Sequence, residues 1–272
     1  MLTWLACSLA LAGSFEVVPD RTNPLVIGLP AIGSTEIYDV RETSDLGDWG
    51  AEAFTRSTMR VEVGPGDRGG RTLTSTVQQL DRLVETDFGL VGEAELAAMP
   101  TQGPGLLWSI DRQGALIEVR PIDDGGVQSA VLSAMLAAVS VPVPPRKARP
   151  GEQWQLDQRL DLPLELDEGR SADLHLHVQA RSRFVGWTSV DGRWLARIEV
   201  DGVIELQVLL HSPDLAARGG GLARVSAIVV VDPTDGMPVW SSRRTRILMA
   251  AGDRDLRPKE VGSVSVLRRV EG

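Results

Sequence analysis

The stretch Gly126–Trp154, GVQSAVLSAMLAAVSVPVPPRKARPGEQW, divides the chain into two strand-rich parts. Its first part predicts one helix over residues 126–140, because apolar side chains recur every four residues, at Val127, Val131, Met135 and Val139. Pro142 ends that helix, since the residue before a proline is excluded from the α region. The prolines that follow predict an extended crossing. The Gly-Glu-Gln-Trp at its end then starts a second strand-rich pattern.

Alternating polar and apolar residues on both sides of this stretch predict strands. Ala53–Val63 and Asp173–Ala180 are the clearest examples, because each places one set of side chains on either face of a sheet. Asp191-Gly192 and Asp201-Gly202 predict tight hairpin turns, and Gly219-Gly220-Gly221 predicts a loop. Arg71–Thr86 is long enough for a strand with a bulge near its middle. Consecutive hairpins of this kind predict an antiparallel sheet with one buried face.

The predicted fold is mainly β with minor α: a curved antiparallel sheet or half-barrel of two related halves with one principal helix. Residues 13–145 form the first β half, which includes the helix, and residues 146–272 form the second. We expect the two to fold as one cooperative unit. Each half passes through alternating strands and ends in a hairpin, which suggests internal duplication, although two unrelated meanders would give the same pattern.

The N-terminus predicts export. Residues 2–12, LTWLACSLALA, form an apolar run that ends in a small-x-small sequence, so we expect residues 1–12 to be a signal peptide cleaved near Ala12. No Lys or Arg precedes Arg21, so an ordinary buried N-terminal strand or helix is the alternative. A lipid anchor on Cys7, the chain's one cysteine, is a further alternative. The expected location is the periplasm or the outer envelope.

The net charge of the chain is −9, which argues against a nucleic-acid partner, because that affinity comes from neutralising phosphates with Lys and Arg. Two short basic runs, Arg146–Arg149 and Arg243–Arg246, are interpreted as solvated segments. The apolar run at the N-terminus is too short to cross a bilayer, so no transmembrane span is expected in the mature chain.

The mid-chain motif carries a resemblance. A helix ending in Val-Pro-Val-Pro-Pro, a short basic spacer and then Pro-Gly-Glu-Gln-Trp resembles uncharacterised secreted bacterial β proteins that have a proline-rich midpoint followed by Gly-Asp/Glu-x-Trp. More distantly, the chain is similar to the lipoprotein-carrier type of half-barrel, in which a curved antiparallel sheet surrounds an apolar cavity. The resemblance spans roughly residues 35–250. It implies a fold and a compartment, and no catalytic residues.

Candidate catalytic and metal chemistry is sparse. His175 and His177 share one face of a predicted strand with Asp173, a spacing that some metal sites use, although alternating polar residues are also what a half-solvated sheet requires. The chain has neither a Gly-x-Ser-x-Gly nucleophile motif nor a phosphate loop. We therefore expect no catalytic residues, no metal, no cofactor and no enzymatic activity.

Tryptophan is the most suggestive residue type, because the chain has seven against one tyrosine. Five of them fall in or beside predicted strands: Trp108, Trp154, Trp187, Trp194 and Trp240. Core packing is one interpretation. The other is an apolar cavity lined by Trp108, Trp187, Trp194 and Trp240 together with Val131 and Met135 of the helix, since small-molecule sites favour aromatic walls.

The predicted function is noncatalytic: a binding or envelope-associated module, with a lipid or other hydrophobic small molecule as ligand. A structural module that binds an envelope protein is one alternative, and a hydrolase is another. A carrier requires a continuous apolar cavity, a structural module a filled core, and a hydrolase a polar cleft with converging histidines and carboxylates. The sequence leaves the ligand and the oligomeric state open.

Overall fold

The computed structural model describes residues 15–19, 21–45, 51–86, 89–90, 105–112, 116–122, 147–165, 171–211, 216–251 and 259–270. Within these ranges the chain is almost entirely β, with one short 3-10 turn at Asp67–Gly69 and no helix of seven or more residues. The strands are β1 Thr35–Asp45, β2 Ala51–Pro65, β3 Arg71–Thr86, β4 Gly89–Leu90, β5 Leu106–Ile110, β6 Leu116–Pro121, β7 Gln153–Glu165, β8 Ser171–Val190, β9 Arg193–His211, β10 Ala216–Val231, β11 Pro238–Ala251 and β12 Lys259–Val270.

All strands belong to one antiparallel sheet, in the order β6-β5-β3-β2-β1-β12-β11-β10-β9-β8-β7, with β4 paired to β3 off this path. Neighbours in space follow one another along the chain, with two exceptions: β3 pairs with β5 past the short β4, and β1 pairs with β12, from Ile37 opposite Val270 to Asp45 opposite Gly262. The two ends of the path, β6 and β7, approach each other. The result is a nearly closed, barrel-like sheet, which confirms the predicted mainly β fold and its curvature.

The alternation in β8 shows how the sequence divides its side chains between the two faces. Leu174, Leu176 and Val178 are buried on the inner face, whereas His175 and His177 between them lie on the outer face. Inner-face burial of one leucine or valine is worth about 1.5–3 kcal/mol, which fixes the register because a one-residue slip would expose the whole set. The predicted two-faced strand is confirmed here.

Two turn predictions have opposite outcomes. Asp191 and Gly192 both have positive φ, 50° and 76°, and form the two-residue turn between β8 and β9, as predicted. Asp201-Gly202 is not a turn: β9 runs straight through it from Arg193 to His211, paired with β8 and β10 on either side. That prediction is wrong because pairing on both edges holds the dipeptide extended, whatever its turn propensity.

The glycine run Gly219-Gly220-Gly221 is also strand and not the loop that its composition predicts. It lies inside β10 and pairs with β9 on one side and with β11 on the other. The bulge expected in β3 is confirmed. Gln79 lies opposite Thr58 and Val77 opposite Met59, so the β3 residue between them has no partner residue on β2.

Several predictions fall outside the described residues. They are the signal peptide at residues 1–12 with Cys7, and the helix at 126–140 with Val131 and Met135 and the proline-rich crossing after it. The division into halves at 13–145 and 146–272, their relatedness and their cooperative unfolding stay predictions. Within the ranges that the structure describes, no helix has the length and apolar character that a membrane crossing requires.

The segment that precedes β1, described at residues 15–19 and 21–34, crosses from the outer face over one end of the sheet. Val18 donates its backbone N–H to the Trp187 carbonyl at 2.7 Å on the outside. Further along, Leu25 pairs through its backbone with Ala148 and is fully buried in the core. We call this N-terminal segment, together with Lys147–Glu152, the closure of that end.

The closure rests on the turn between β10 and β11. Gly28 donates its N–H to the Pro233 carbonyl at 2.8 Å. The carboxylate of Asp232 organises the turn by accepting hydrogen bonds from the backbone N–H and the hydroxyl of Thr234, at 2.9 and 2.6 Å. It also forms an ion pair with Arg193. Burial acts against the charge of Asp232, but these hydrogen bonds outweigh it and hold the pKa of the carboxyl below its ordinary value.

Replacing Gly28 with alanine will destabilise the protein, because the new methyl group would be forced against the Thr234 carbonyl. We expect a loss of about 1–3 kcal/mol in the free energy of unfolding, as for other overpacked sites. Chemical denaturation followed by tryptophan fluorescence measures it. Gly262→Ala is the matched control, since nothing lies near the added methyl group there. Equal denaturation midpoints for Gly28→Ala and the wild type would contradict the close approach.

Asp232→Asn will cost about 1–2 kcal/mol at neutral pH, because it removes charge-assisted hydrogen bonds from the turn. Since the folded pKa of Asp232 lies below its unfolded value, the wild-type advantage is fully present above about pH 4 and disappears as the pH falls through the folded pKa. Urea denaturation at a series of pH values will show the two proteins converging in acid. Asp191→Asn, at an exposed position in the β8–β9 turn, removes the same charge and should leave stability nearly unchanged. A constant difference across the pH range would exclude the titration of Asp232 as its cause.

Candidate functional site

The interior of the sheet is the candidate site, and its first wall is apolar. Side chains from β8, β9 and β10 meet there in register, for example Leu176 opposite Leu206 and Ile198 opposite Val229. All are buried members of one continuous cluster that also receives Leu25 from the N-terminal segment. This wall, the apolar wall, offers a surface without charged groups.

The facing wall, on β1, β2 and β12, is different in chemistry. The register places the following residues on the same face as buried Tyr38: Val40, Glu42, Ser44, Thr55, Ser57, Ser263, Ser265 and Leu267. Most are small and polar, and all are only partly buried although they face inward. Tightly packed protein above them would have buried them fully, so solvent reaches this part of the interior. We call it the polar wall.

Arg243 on β11 stands at the boundary between the two walls. It lies opposite Ala227 of the apolar wall on one side and opposite Ser265 of the polar wall on the other. The residue is 9% exposed. Burial lowers the pKa of its guanidinium to about 10, with the Glu42 carboxylate acting in the opposite direction. Arg243 therefore still carries its positive charge at neutral pH.

A second set of charges lies where the closure meets β1 and β12. Arg269 donates to Asp235 at 3.0 Å and lies 3.4 Å from a carboxylate oxygen of Glu36. Burial acts against the charge of Arg269, but the hydrogen bond to Asp235 prevails and raises its pKa. Beside it, burial raises the pKa of the Tyr38 phenol, so that group stays neutral. The two ion pairs of Arg269 link β12 to β1 and to the turn between β10 and β11.

Of the five tryptophans in or beside predicted strands, three lie inside the sheet or at the margin of its core, and two of these, Trp108 and Trp187, were proposed to line a cavity. Trp108 packs against the apolar wall and also against the cluster around Tyr38, so it lies inside, between the walls. Trp187 is buried in the core beneath the closure, where its indole N–H donates to the Asn23 carbonyl at 2.8 Å. Trp154 packs at the margin of the apolar wall.

The other two tryptophans lie away from the interior. Trp240 is 1% exposed but lies on the outer face, where Phe15 of the N-terminal segment covers it with ring centroids 5.2 Å apart. Trp194, the second residue of β9, is 39% exposed, and the guanidinium of Arg21 stacks on its ring at 3.9 Å from the centroid. Their role in lining a cavity was predicted from their residue type and their place in predicted strands, which do not show which face of the sheet a side chain occupies.

The histidines lie on the outer face of β8 and β9, each with its own aspartate. His175 contacts Asp161 at 2.7 Å, and His211 contacts Asp173 at 2.9 Å. His177 contacts Asp157 at 2.8 Å, and this hydrogen bond lowers the pKa of that exposed carboxyl. In the part of the chain that the structure describes, no three His, Cys, Asp or Glu side chains come together as a metal site would require. Asp173, His175 and His177 share a face but engage separate partners.

Sequence reasoning missed the inward position of Arg243. The run Arg243–Arg246 was interpreted as solvated, which is right for Arg244 and Arg246 and wrong for Arg243. A signal was available: residues at odd and even positions of a strand face opposite sides, so a run of this kind cannot be wholly exposed on a closed sheet.

Comparisons with known proteins add little to this geometry. No protein-family model matches the chain, and no curated protein matches it. Among solved structures, it is similar to a protein of Bacteroides fragilis described as exported and as having a YmcC-like fold. That likeness covers 91% of this chain and all of the other, at 10% identity and a TM-score of 0.25. At that level it carries no argument about function.

Proposed function

We propose that the chain is an exported, noncatalytic protein that binds a lipid or other hydrophobic ligand inside the sheet. One observation carries the proposal: the apolar wall faces a polar wall whose inward side chains are only partly buried. An apolar ligand between the walls would remove from water the apolar side chains there that are only partly buried, Trp108, Val40 and Leu267, at about 25 cal/mol for each Å². The serine and threonine side chains of the polar wall would face the polar group of such a ligand.

The width of the sheet supports this proposal. A closed sheet of about eight strands is just wide enough for its own side chains to fill, and larger ones enclose cavities or channels. Eleven strands form the continuous path here. Small residues on the polar wall, such as Ser57 and Ser265, widen the interior further. Side chains of the strands alone are therefore too few to fill it.

Unpaired polar atoms on the inner face point the same way. Trp108 Nε1 and Thr245 Oγ1 are buried, and neither has a hydrogen-bond partner among the residues that the structure describes. A buried donor without a partner costs about 1–3 kcal/mol, so such groups in native proteins usually meet water or a ligand. We infer that the ligand carries a hydrogen-bonding group as well as its apolar part.

Export and the absence of catalysis are parts of the proposal that rest on other features. Export rests on the apolar run at residues 2–12 with its small-x-small ending. The noncatalytic assignment is supported by the histidines, because His175, His177 and His211 contact aspartates on the outer face, away from the interior. Intact mass spectrometry of the protein purified from its native compartment tests cleavage near Ala12.

Narrowing the interior at Ser57 will weaken ligand binding. The Ser57→Phe variant places a large side chain between the walls, opposite Val40. We expect at least a tenfold loss of affinity for the neutral fluorescent probe 1-N-phenylnaphthylamine, equivalent to about 1.4 kcal/mol. Native mass spectrometry of the same preparations will show copurified lipid on the wild type and less on the variant.

Thr58→Phe is the matched control, since Thr58 is the next residue along β2 and faces outward, opposite Asp39. It should bind the probe as the wild type does, with both variants melting at similar temperatures. If neither probe nor lipid binds the wild-type protein, the interior is filled and the structural-module alternative takes the place of this proposal. Equal binding by both variants would place the ligand site elsewhere.

A further inference from the structure

The inner face of the sheet carries a positive and a negative side chain in one row across three neighbouring strands. Ser265 of β12 lies opposite Arg243 of β11 on one side and opposite Glu42 of β1 on the other. Residues directly opposite each other on paired strands share a face, so both charged side chains belong to the inner face. We call Arg243 and Glu42 the inner charge pair.

One strand separates the two members of the inner charge pair. Neighbouring strands lie about 4.7–4.9 Å apart, so the backbones of Arg243 and Glu42 are about 9–10 Å from each other. The Glu42 carboxylate accepts a hydrogen bond from the Ser44 hydroxyl at 3.2 Å, and among the described residues it forms no ion pair. Its charge acts on Arg243 without direct contact. A polar group of a ligand can therefore lie between the two charges, in front of Ser265.

Another arginine of the same face provides the comparison. Arg269 lies 3.0 Å from a carboxylate oxygen of Asp235 and 3.4 Å from one of Glu36. There the protein brings both signs of charge into contact, as is usual for charges that are withdrawn from water. Glu42 faces the interior without such a contact from the described residues. This difference suits Glu42 to a cationic group that arrives with a ligand.

The surroundings of Arg243 suit a phosphate. Its guanidinium offers five N–H donors in a planar fork that matches phosphate oxygens, so it can bind a phosphate in addition to its partners within the protein. Thr245, two residues along β11 on the same face, has a buried hydroxyl without a hydrogen-bond partner among the described residues. Ser263 lies opposite Thr245 and adds a second hydroxyl. Several phosphate oxygens can therefore be bound at once.

The surroundings of Glu42 suit a primary ammonium. An ammonium group has three N–H donors and needs that number of acceptors, which a carboxylate and neighbouring hydroxyls supply. The inner-face neighbours of Glu42 along β1 and across from it are Val40, Ser44, Thr55 and Ser265. None of these four is aromatic, whereas quaternary ammonium groups are bound by aromatic cages. The site therefore favours ethanolamine over choline.

We propose that the inner charge pair binds the phosphoethanolamine headgroup of a phospholipid, with the phosphate at Arg243 and the primary ammonium at Glu42. This inference rests on the proposed binding of a lipid inside the sheet and specifies the headgroup of that lipid. Val40 and Leu267 lie two residues along their strands from Glu42 and Ser265, on the same face, and are partly buried. Acyl chains can therefore begin next to the headgroup and pass between the two walls.

Glu42 also disfavours the wrong headgroups. A lipid whose headgroup carries a phosphate and no cation would place that phosphate near the Glu42 carboxylate, and like charges at a binding site reduce affinity. A lipid without a phosphate would leave Arg243 and Glu42 without ligand partners. The headgroup that satisfies both charges has one positive and one negative group joined by a short linker.

Displacement of the neutral probe 1-N-phenylnaphthylamine from the full chain tests the headgroup. The competitors are phosphatidylethanolamine, phosphatidylcholine and phosphatidylglycerol with the same short acyl chains, each kept below the concentration at which it forms micelles. Phosphatidylethanolamine should displace the probe at a concentration about tenfold lower than either of the other two. Free phosphoethanolamine should compete far more weakly, because it lacks acyl chains.

Substitutions in the inner charge pair should change this preference in opposite ways. Glu42→Gln should weaken displacement by phosphatidylethanolamine about tenfold and improve displacement by phosphatidylglycerol, because the carboxylate that repels its phosphate is gone. Arg243→Gln should weaken displacement by both. Arg243→Lys keeps the charge but not the planar fork, and its affinities should fall between those of Arg243→Gln and the wild type. The probe affinity of each variant is measured first and used to correct the displacement.

Arg244→Gln and Glu260→Gln are the matched controls, because they remove the same charges from the outer face of β11 and β12. Both should show the lipid preference of the wild type.

The failure of this inference is distinguishable from the failure of the proposed function. If the wild type binds the probe but phosphatidylcholine competes as well as phosphatidylethanolamine, the headgroup assignment is overturned and binding of a hydrophobic ligand stands. Equal losses for phosphatidylethanolamine and phosphatidylglycerol in Glu42→Gln would assign Glu42 a structural role and overturn it too. So would free phosphoethanolamine that competes as strongly as the lipid. A wild type that binds no probe would overturn both proposals.

Discussion

The pairing of β1 with β12 is the contact on which the rest of the structure depends. Every other pair in the eleven-strand path joins strands that follow one another along the chain, apart from the small β4. Without the β1–β12 pairing these strands would form two separate meanders, β1–β6 and β7–β12, because β6 and β7 are not paired. The pairing from Ile37 to Asp45 joins them into one sheet, which curves until β6 and β7 approach and Trp108 contacts the core clusters of both meanders. Arg269 reinforces this pairing through Glu36 of β1.

Local parts of the fold could be predicted from the sequence, because their causes are local. Alternation along β8 gives its two faces directly, and Asp191-Gly192 forms a turn since both residues adopt positive φ. Asp201-Gly202 has the same local chemistry but lies in a strand paired on both sides, where the hydrogen bonds of the ladder outweigh turn propensity. The β1–β12 pairing has no local signal at all, since its partners lie at opposite ends of the sequence.

The residue types of the candidate site could be predicted from the sequence, but the faces of the sheet on which they lie could not. Tryptophan content indicates buried aromatic surface, and Trp108 and Trp187 are indeed buried or partly buried in the core clusters. Which face receives a tryptophan depends on distant chain: Trp240 is buried outside because Phe15 lies across it. The polar wall was not anticipated, because serines and threonines alternating in β2 and β12 suggest a solvated outer face. Only closure of the sheet turns that face inward.

β11 shows that the curved sheet places some side chains on the face opposite to the one that their polarity would favour. It buries Trp240 on the outside and Arg243 on the inside, the reverse of what hydrophobicity alone would arrange. Each reversal depends on a particular neighbour. The outer tryptophan requires the N-terminal segment as cover, and the inner arginine keeps its charge because the polar wall and Glu42 lie beside it. The remaining arginines, Arg244 and Arg246, lie on the outer face, where Glu260 of β12 is the diagonal neighbour of Arg246. One strand therefore supplies charge to the interior and to the outer surface, and the two can take part in separate interactions because the sheet stands between them.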